Sequence, residues 1–308
     1  MGRTIKQTPM GMEWIHGDKY VTGMLREFGL SECKPVCTPV AREEQSLGDD
    51  RPDMPKAEAS RFRRAVAKVN YLSQDRLDIA LGSSLLARTM SRPREGDEQR
   101  LKRILRYLRA FPRAIIHFMW QPLEHSFDLM TDSDWATCKT TRKSTSGGIL
   151  LRGRHLISHW SRIQGKIAPS SGEAELFSAS TGLSVLAGAV NLDMELTGKS
   201  LTDYQLRHRV DASACRSMLI RRGAGAVKHL EVRDLWGQQM VRRLGVLVMK
   251  VPRAENTADL LASPGEVADF RAHLANLGVH LSVEEADSSL QSTMAYFLMP
   301  IAAAALRT

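Results

Sequence analysis

The most informative part of the chain is Thr131-Asp132-Ser133-Asp134-Trp135, which Arg142-Lys143-Ser144-Thr145-Ser146-Gly147-Gly148 follows closely. The first segment places two carboxylates at the end of an apolar, alternating run, and the second is a glycine-containing segment typical of a strand. Carboxylates at a strand end can hold Mg²⁺, a hard cation that takes oxygen ligands and keeps some of its water. The pattern therefore predicts a strand that ends at a candidate metal ligand.

Three later segments each offer another acid in an apolar setting. They are Ser170-Ser171-Gly172-Glu173-Ala174-Glu175, Val210-Asp211-Ala212-Ser213-Ala214 and Thr257-Ala258-Asp259-Leu260-Leu261. We interpret Asp132, Glu175, Asp211 and Asp259 as one metal-binding set, because clustered carboxylates resist ionising together unless a cation is present. Two Mg²⁺ ions would relieve this repulsion and clamp both oxygens of an in-line phosphoryl displacement. The set predicts hydrolysis of a phosphodiester by metal-activated water.

The alternative for any single acid in such a position is a turn former or a helix cap. Asp134 and Glu173 show the ambiguity, since each lies two residues from a chosen acid. We assign these two residues supporting or surface roles.

The hydrophobic pattern around the acids predicts an α/β domain. Strands are expected at 115–120, 127–132, 149–151 and 156–160, with a hairpin turn at Arg152-Gly153-Arg154, and these four would form an antiparallel meander. A helix over 173–196, a strand over 205–211, two more helices and a strand over 246–251 follow. Antiparallel strands followed by strands that alternate with helices indicate a mixed sheet.

The net charge of +9 is concentrated in one part of the 308 residues, because residues 51–120 carry 16 Lys or Arg against 7 Asp or Glu. Within this range, residues 57–111 are expected to form three helices, and the third has an apolar stripe from Leu101 to Leu108. Its other faces carry basic side chains that either are merely solvated or contact phosphates of a nucleic acid. The basic side chains are Arg100, Lys102, Arg103, Arg106 and Arg109.

The remaining composition is that of a globular protein inside the cell. Hydrophobic residues make up 43% of the chain and charged residues 25%. The four cysteines show no zinc-binding spacing and are expected to be free thiols. We find no signal peptide, and the apolar run 294–306 is too short to span a bilayer. A cytoplasmic or nuclear location without membrane contact is expected.

Five motifs in a fixed order resemble a known family. They are Thr131–Ala136, Arg142–Gly148, Ser170–Leu176, Lys228–Arg233 and Asn256–Leu261, and together they resemble the ribonuclease H domain of copia-type LTR retrotransposon Pol polyproteins. Upstream, residues 18–39 resemble the end of the reverse transcriptase of the same polyprotein, and residues 101–108 resemble the segment that joins the two. The resemblance covers roughly residues 13–262.

The resemblance implies a ribonuclease H-like fold, a mixed five-stranded sheet with flanking helices, preceded by a small helical region like the reverse transcriptase thumb or connection. It also implies cleavage of the RNA strand of RNA–DNA hybrids with two Mg²⁺ ions, for which Mn²⁺ can substitute. The family's four acids match Asp132, Glu175, Asp211 and Asp259, and His229 matches a recurrent histidine with an auxiliary or structural role. Arg142 and Lys143 are candidate nucleic-acid contacts.

We expect four segments: a reverse transcriptase remnant with a linker over 1–56, a basic helical connection over 57–113, the ribonuclease H-like domain over 114–264, and a C-terminal helix and tail over 265–308. The Tyr-x-Asp-Asp motif of the polymerase is absent from the sequence. The residues that follow Asp132, Asp211 and Asp259 also depart from the family pattern.

Three hypotheses therefore stand. The first is an active ribonuclease H. The second is a catalytically inactive nucleic-acid-binding remnant, since the chain is expected to begin inside the polyprotein. The third is a DNA-specific or integrase-like nuclease.

Overall fold

The computed structural model describes residues 3–16, 18–42, 51–225, 227 and 230–282. The strands are β1 Arg3–Thr8, β2 Gly11–His16, β3 Arg113–Met119, β4 Ser126–Ser133, β5 Thr145–Arg152, β6 His155–Ile163, β7 Gln205–Val210, β8 Leu247–Lys250 and β9 Val279–Ser282. The α-helices are α1 Lys19–Glu27, α2 Lys56–Leu72, α3 Ala80–Ala87, α4 Glu95–Ala110, α5 Ser171–Thr197, α6 Ser213–Ile220, α7 Trp236–Leu244, α8 Asp259–Ala262 and α9 Val267–Asn276. No helix in this part of the chain has both the length and the apolarity needed to cross a membrane.

The larger sheet, called the central sheet below, is mixed. Within the described residues it has five strands in the order β6-β5-β4-β7-β8. The neighbours β4, β5 and β6 are antiparallel, whereas β7 is parallel to β4 and β8 is parallel to β7. The predicted fold class, a mixed five-stranded α/β sheet with flanking helices, is confirmed.

Helices cover both faces of the central sheet. Because side chains alternate along a strand, Leu129 of β4 and Leu150 of β5 lie in the core formed with α5, α6 and α7. The next residues, Met130 and Ile149, belong instead to the opposite core, which contains α1, α2, α4 and α8. The helical region that precedes the central sheet in sequence is therefore packed directly onto it.

The strand β3 was predicted to begin the meander of the central sheet, and that prediction is wrong. β3 pairs with β2 and β9 in a second sheet of order β1-β2-β3-β9, called the outer sheet below. Its partners come from residues 11–16 and 279–282, and we did not predict strands in either range. The predicted division into four segments stays a prediction.

A buried ion pair joins the helical region to the start of β3. The Arg76 guanidinium donates to both carboxylate oxygens of Asp78 at 2.9 and 2.7 Å, and both side chains are 0% exposed. Arg76 also donates to the carbonyls of Phe111 and Pro112, and the Tyr107 hydroxyl donates to Asp78 at 2.9 Å. The buried Arg76 and Asp78 side chains thus find their hydrogen-bond partners within the protein.

The basic helix α4 uses much of its charge within the chain. Arg103 donates to the Thr38 carbonyl at 3.2 Å, Arg106 donates to the Lys34 carbonyl at 2.6 Å, and Arg109 donates to the Cys33 carbonyl. Arg100 and Lys102 form ion pairs within the helix with Asp97 and Glu98. The predicted phosphate-contacting side chains of this helix therefore have intramolecular partners, and three of them hold the extended segment 33–38.

Candidate metal centre

Three of the four candidate acids meet at one edge of the central sheet. Asp132 lies near the end of β4 and Asp211 directly follows β7, and these two strands are parallel, so their carboxyl ends lie at the same edge. Glu175 enters from the first turns of α5. One carboxylate oxygen from each of Asp132, Glu175 and Asp211 lies within 4.8 Å of the other two.

The helix α5 approaches β4 closely enough to deliver Glu175. A Cβ atom at Gly182 would lie 2.5 Å from the Thr131 methyl carbon, so glycine is required for the approach. The Ser178 hydroxyl donates to the Asp132 carbonyl at 2.8 Å, and the Ser133 amide donates to Glu175 Oε1 at 3.2 Å. These contacts fix the distance between the helix and the strand end.

The two neighbouring acids are structural. Glu173 is buried, and it accepts a hydrogen bond from the hydroxyl of Ser170, which in turn caps α5 by accepting from the Glu173 amide. Asp134 is also buried and accepts hydrogen bonds from the amide and the hydroxyl of Thr145, as well as from Thr137. Both residues have the supporting roles that the sequence suggested.

The fourth acid, Asp259, begins the short helix α8, which packs against β5. A Cβ atom at Gly147 would lie 2.7 Å from the Ala258 carbonyl oxygen and 2.9 Å from the Ala262 nitrogen. The buried Asn256 donates to the Thr131 carbonyl at 3.0 Å and thereby ties the approach to α8 to β4. Asp259 itself lies near the other acids, since its charge acts on Asp132, Glu175 and Asp211.

Burial and mutual repulsion disfavour the ionised form of this cluster. Burial, followed by the charges of neighbouring carboxylates, raises the pKa of Asp132 well above its usual range. Burial and the Asp211 charge raise the pKa of Glu175 from 4.5 to about 8. Burial also raises the pKa of Asp211. Without a cation, ionising the whole group is therefore costly.

These residues fit a hard divalent cation. Every donor in the cluster is a carboxylate oxygen, which is the ligand type that Mg²⁺ and Ca²⁺ prefer. Glu175 Oε2 is buried and has no hydrogen-bond partner among the described residues. A buried acceptor of this kind is normally satisfied by a donor, by water or by an ion. The sequence reasoning missed Asn256, Ser178 and Gly182, although Asn256 belongs to one of the motifs quoted above.

Replacing Gly147 with alanine is expected to displace α8 and with it Asp259. The added methyl group would meet backbone atoms, which have no room to move aside, so we expect a loss of stability of about 1–3 kcal/mol. The nuclease activity that the sequence predicts should fall by up to ~100-fold, because a shift of about 1 Å at a catalytic group can have such an effect. Urea unfolding and an initial-rate assay would measure both.

Gly165→Ala provides the matched control, because a Cβ atom at Gly165 meets nothing within 4 Å. Wild-type activity and stability in Gly147→Ala would contradict the close contact between β5 and α8.

Two further predicted site residues, Arg142 and Lys143, lie in the loop between β4 and β5. His229 falls outside the described residues. Arg142 is exposed in the β4–β5 loop with a positive φ of 55°, and Lys143 beside it is half-buried. This loop directly follows the strand that carries Asp132.

Arg142→Ala is expected to weaken the predicted nucleic-acid binding, because it removes one phosphate contact. The slope of log K against log salt should then fall in magnitude by about 1. Arg106→Ala should instead lower the free energy of unfolding by about 0.5–1.5 kcal/mol and leave the salt slope unchanged, because Arg106 donates to a backbone carbonyl. Fluorescence anisotropy with a labelled RNA–DNA hybrid at several salt concentrations would measure both slopes. Equal slope changes in the two variants would contradict this assignment.

The chain is similar to curated proteins of plants. It is 30% identical over 177 residues to the Uncharacterized mitochondrial protein AtMg00810 of Arabidopsis thaliana, which covers 57% of this chain and 71% of that protein. It is 28% identical over 282 residues to the Retrovirus-related Pol polyprotein from transposon RE1 of Arabidopsis thaliana, covering 91% of this chain. The chain spans 19% of the length of that polyprotein.

Family models and solved structures add two findings. No family model matches the chain. Among solved structures, LC11-RNase H1, isolated from compost by a metagenomic approach, is similar with a TM-score of 0.31 and 16% identity, covering 44% of this chain and 92% of that one. The match to Pol polyproteins extends along almost the whole sequence, including the segments that carry the four acids. The chain belongs to the family of copia-type retrotransposon Pol polyproteins.

Proposed function

We propose that this chain is a ribonuclease H that hydrolyses the RNA strand of RNA–DNA hybrids with Mg²⁺, as part of a retrotransposon polyprotein. The observation that carries the proposal is a group of three carboxylates, the buried Asp132 and Glu175 and the half-buried Asp211, whose oxygens lie within 4.8 Å of one another. Asp132 and Asp211 lie where the parallel strands β4 and β7 end, and Glu175 enters from α5. The charge of Asp259 acts on all three. A cluster of this composition in a member of this family supports phosphodiester hydrolysis better than a purely structural role.

The side chains have distinct tasks in this proposal. Asp132, Glu175 and Asp211 hold the cation, with Asp259 as a further ligand. The bound cation would supply a nucleophilic water at neutral pH and neutralise the charge that develops on the phosphate. The Ser133 amide orients the Glu175 carboxylate by donating to Oε1, so that Oε2 is left for the cation.

The substrate would approach over the β4–β5 loop. Arg142 and Lys143 belong to this loop and would contact phosphates of the substrate. Discrimination between RNA and DNA requires contacts to the 2′-hydroxyl groups.

The test is cleavage of a hybrid labelled on each strand in turn, with Mg²⁺, by the full chain and by Asp211→Asn. We expect Mg²⁺-dependent cutting of the RNA strand and a loss of at least ~100-fold in the variant, because a carboxylate that holds the cation is removed. Glu195→Gln, which changes an exposed acid far along α5, is the control and should cut as the wild type does.

Other outcomes decide between the hypotheses. Cutting of the DNA strand, or of duplex DNA, would replace the proposal with a different metal-dependent nuclease. Binding of the hybrid without cutting of either strand would leave an inactive nucleic-acid-binding remnant. Mn²⁺ in place of Mg²⁺ should support cleavage as well, since both ions accept oxygen ligands.

A further inference from the structure

The Asp259 carboxylate is engaged differently from the other three acids. Its Oδ1 accepts a hydrogen bond from Arg253 Nη2 at 3.0 Å and another from the Ser263 hydroxyl at 3.2 Å. The group of oxygens that lie within 4.8 Å of one another contains Asp132, Glu175 and Asp211, and among the described residues Asp259 is not part of it. The fourth acid thus has a cationic partner supplied by the protein.

The charge of Arg253 acts on several acids of the cluster, and its exposed side chain is free to move away into solvent. It follows Pro252 in a short turn after β8, and its side chain is 74% exposed, whereas that of Asp259 is 14% exposed. The positive charge of Arg253 also attracts the carboxylates of Asp132 and Asp211. An exposed arginine can swing into water with little loss, because exposed ion pairs contribute little to stability.

We propose that Arg253 is a built-in counter-ion of the metal centre. Its guanidinium neutralises the Asp259 side of the cluster when no cation is bound there, and a divalent cation that takes Asp259 as a ligand must displace it. The inference rests on the proposed metal centre. It follows that one cation binds at Asp132, Glu175 and Asp211 without this competition, whereas a cation on the Asp259 side binds more weakly.

The experiment is a titration of the metal-free full chain with Mn²⁺, in which the free ion is counted by its electron paramagnetic resonance signal. The wild type should show a tighter and a weaker class of sites. Arg253→Gln should tighten the weaker class on the order of tenfold, because a unit charge next to a divalent ion has been removed. Arg253→Lys keeps the charge and should behave as the wild type.

Two further variants separate a local effect from a change of net charge. Arg243→Gln removes an exposed arginine on α7 and should leave both classes unchanged. Asp259→Asn in the Arg253→Gln background should abolish the gain in Mn²⁺ affinity, because the Asp259 carboxylate that Arg253 pairs with is then lost as a ligand. Circular dichroism would confirm that each variant is folded.

The outcomes distinguish this inference from the proposed function. Equal Mn²⁺ affinity in Arg253→Gln and the wild type, or the same gain in Arg243→Gln, would overturn the role of Arg253 and leave the metal centre standing, provided that Asp132→Asn still removes the tighter ion. If the wild type binds no Mn²⁺, both the metal centre and the role of Arg253 are refuted.

Discussion

In the metal-free protein, the stability advantage of Glu175→Gln over the wild type is expected to grow by roughly 2–4 kcal/mol as the pH rises from about 5 to 8. The pKa of Glu175 rises from 4.5 to about 8 on folding, so between these values the folded protein holds a proton that the unfolded chain has released. Raising the pH therefore favours the unfolded state of the wild type. The variant has no carboxylate at this position, so it lacks this pH-dependent loss of stability.

The comparison with the variant is needed because other buried groups titrate in the same range. Burial lowers the pKa of His208 to about 3, so the unfolded chain binds a proton at this residue below about pH 6.5 and the folded protein does not. His208 thus makes the protein more stable as the pH rises towards 6.5, opposite to Glu175. This contribution is the same in both proteins and cancels in their difference.

Urea unfolding in the presence of a chelator at pH 5, 6.5 and 8 would measure the effect. Adding Mg²⁺ at pH 8 should stabilise the wild type more than the variant, because an ion that binds only the folded state raises its stability. Glu195→Gln should follow the wild type at every pH. Parallel pH curves for the wild type and Glu175→Gln would contradict the raised pKa of Glu175 and its causes, which are burial and the neighbouring Asp211 charge.

Arg76→Met is expected to lower the free energy of unfolding by about 3–5 kcal/mol, because it leaves the fully buried Asp78 carboxylate without its cation. The Tyr107 hydroxyl donates to the same carboxylate but supplies no positive charge. The carbonyls of Phe111 and Pro112 also lose their donor. Urea unfolding at neutral pH would measure the loss.

A double substitution and an exposed ion pair complete this test. Arg76→Met combined with Asp78→Leu should be less destabilised than Arg76→Met alone, since no unpaired charge then remains buried. Arg92→Met removes the exposed ion pair with Asp53, whose side chains are 69% and 53% exposed, and should change stability by less than about 1 kcal/mol. Equal losses of unfolding free energy in Arg76→Met and Arg92→Met would contradict the burial of the Arg76–Asp78 pair.

Local patterns were sufficient to predict the elements of the central sheet. The alternation before Asp132 and the apolar helix after Glu175 are both encoded within about ten to twenty residues, and both elements occur in the structure. The C-terminal helix expected within 265–308 is also present, as α9. Periodicity of side chains predicts such elements because it reflects which face of each is buried.

Partners distant in sequence could not be predicted in this way. The strand β3 was recognised, but nothing in its own residues specifies that β2 and β9 pair with it. The basic face of α4 was recognised, but its hydrogen bonds to the carbonyls of 33–38 depend on where that extended segment lies. Similarly, Asn256 was quoted within a motif, yet its bond to the Thr131 carbonyl became evident only from the fold.

The outer sheet has a consequence for synthesis on the ribosome. β3 lies between β2, which is made before it, and β9, which is made after the whole central sheet. One edge of β3 therefore stays open on the nascent chain until residue 282 has emerged, and an open strand edge is a site at which other chains can add. Pairing across such sequence distances is also slow. A chaperone that shields this edge during translation would raise the yield of folded protein, whereas truncation before β9 would lower it.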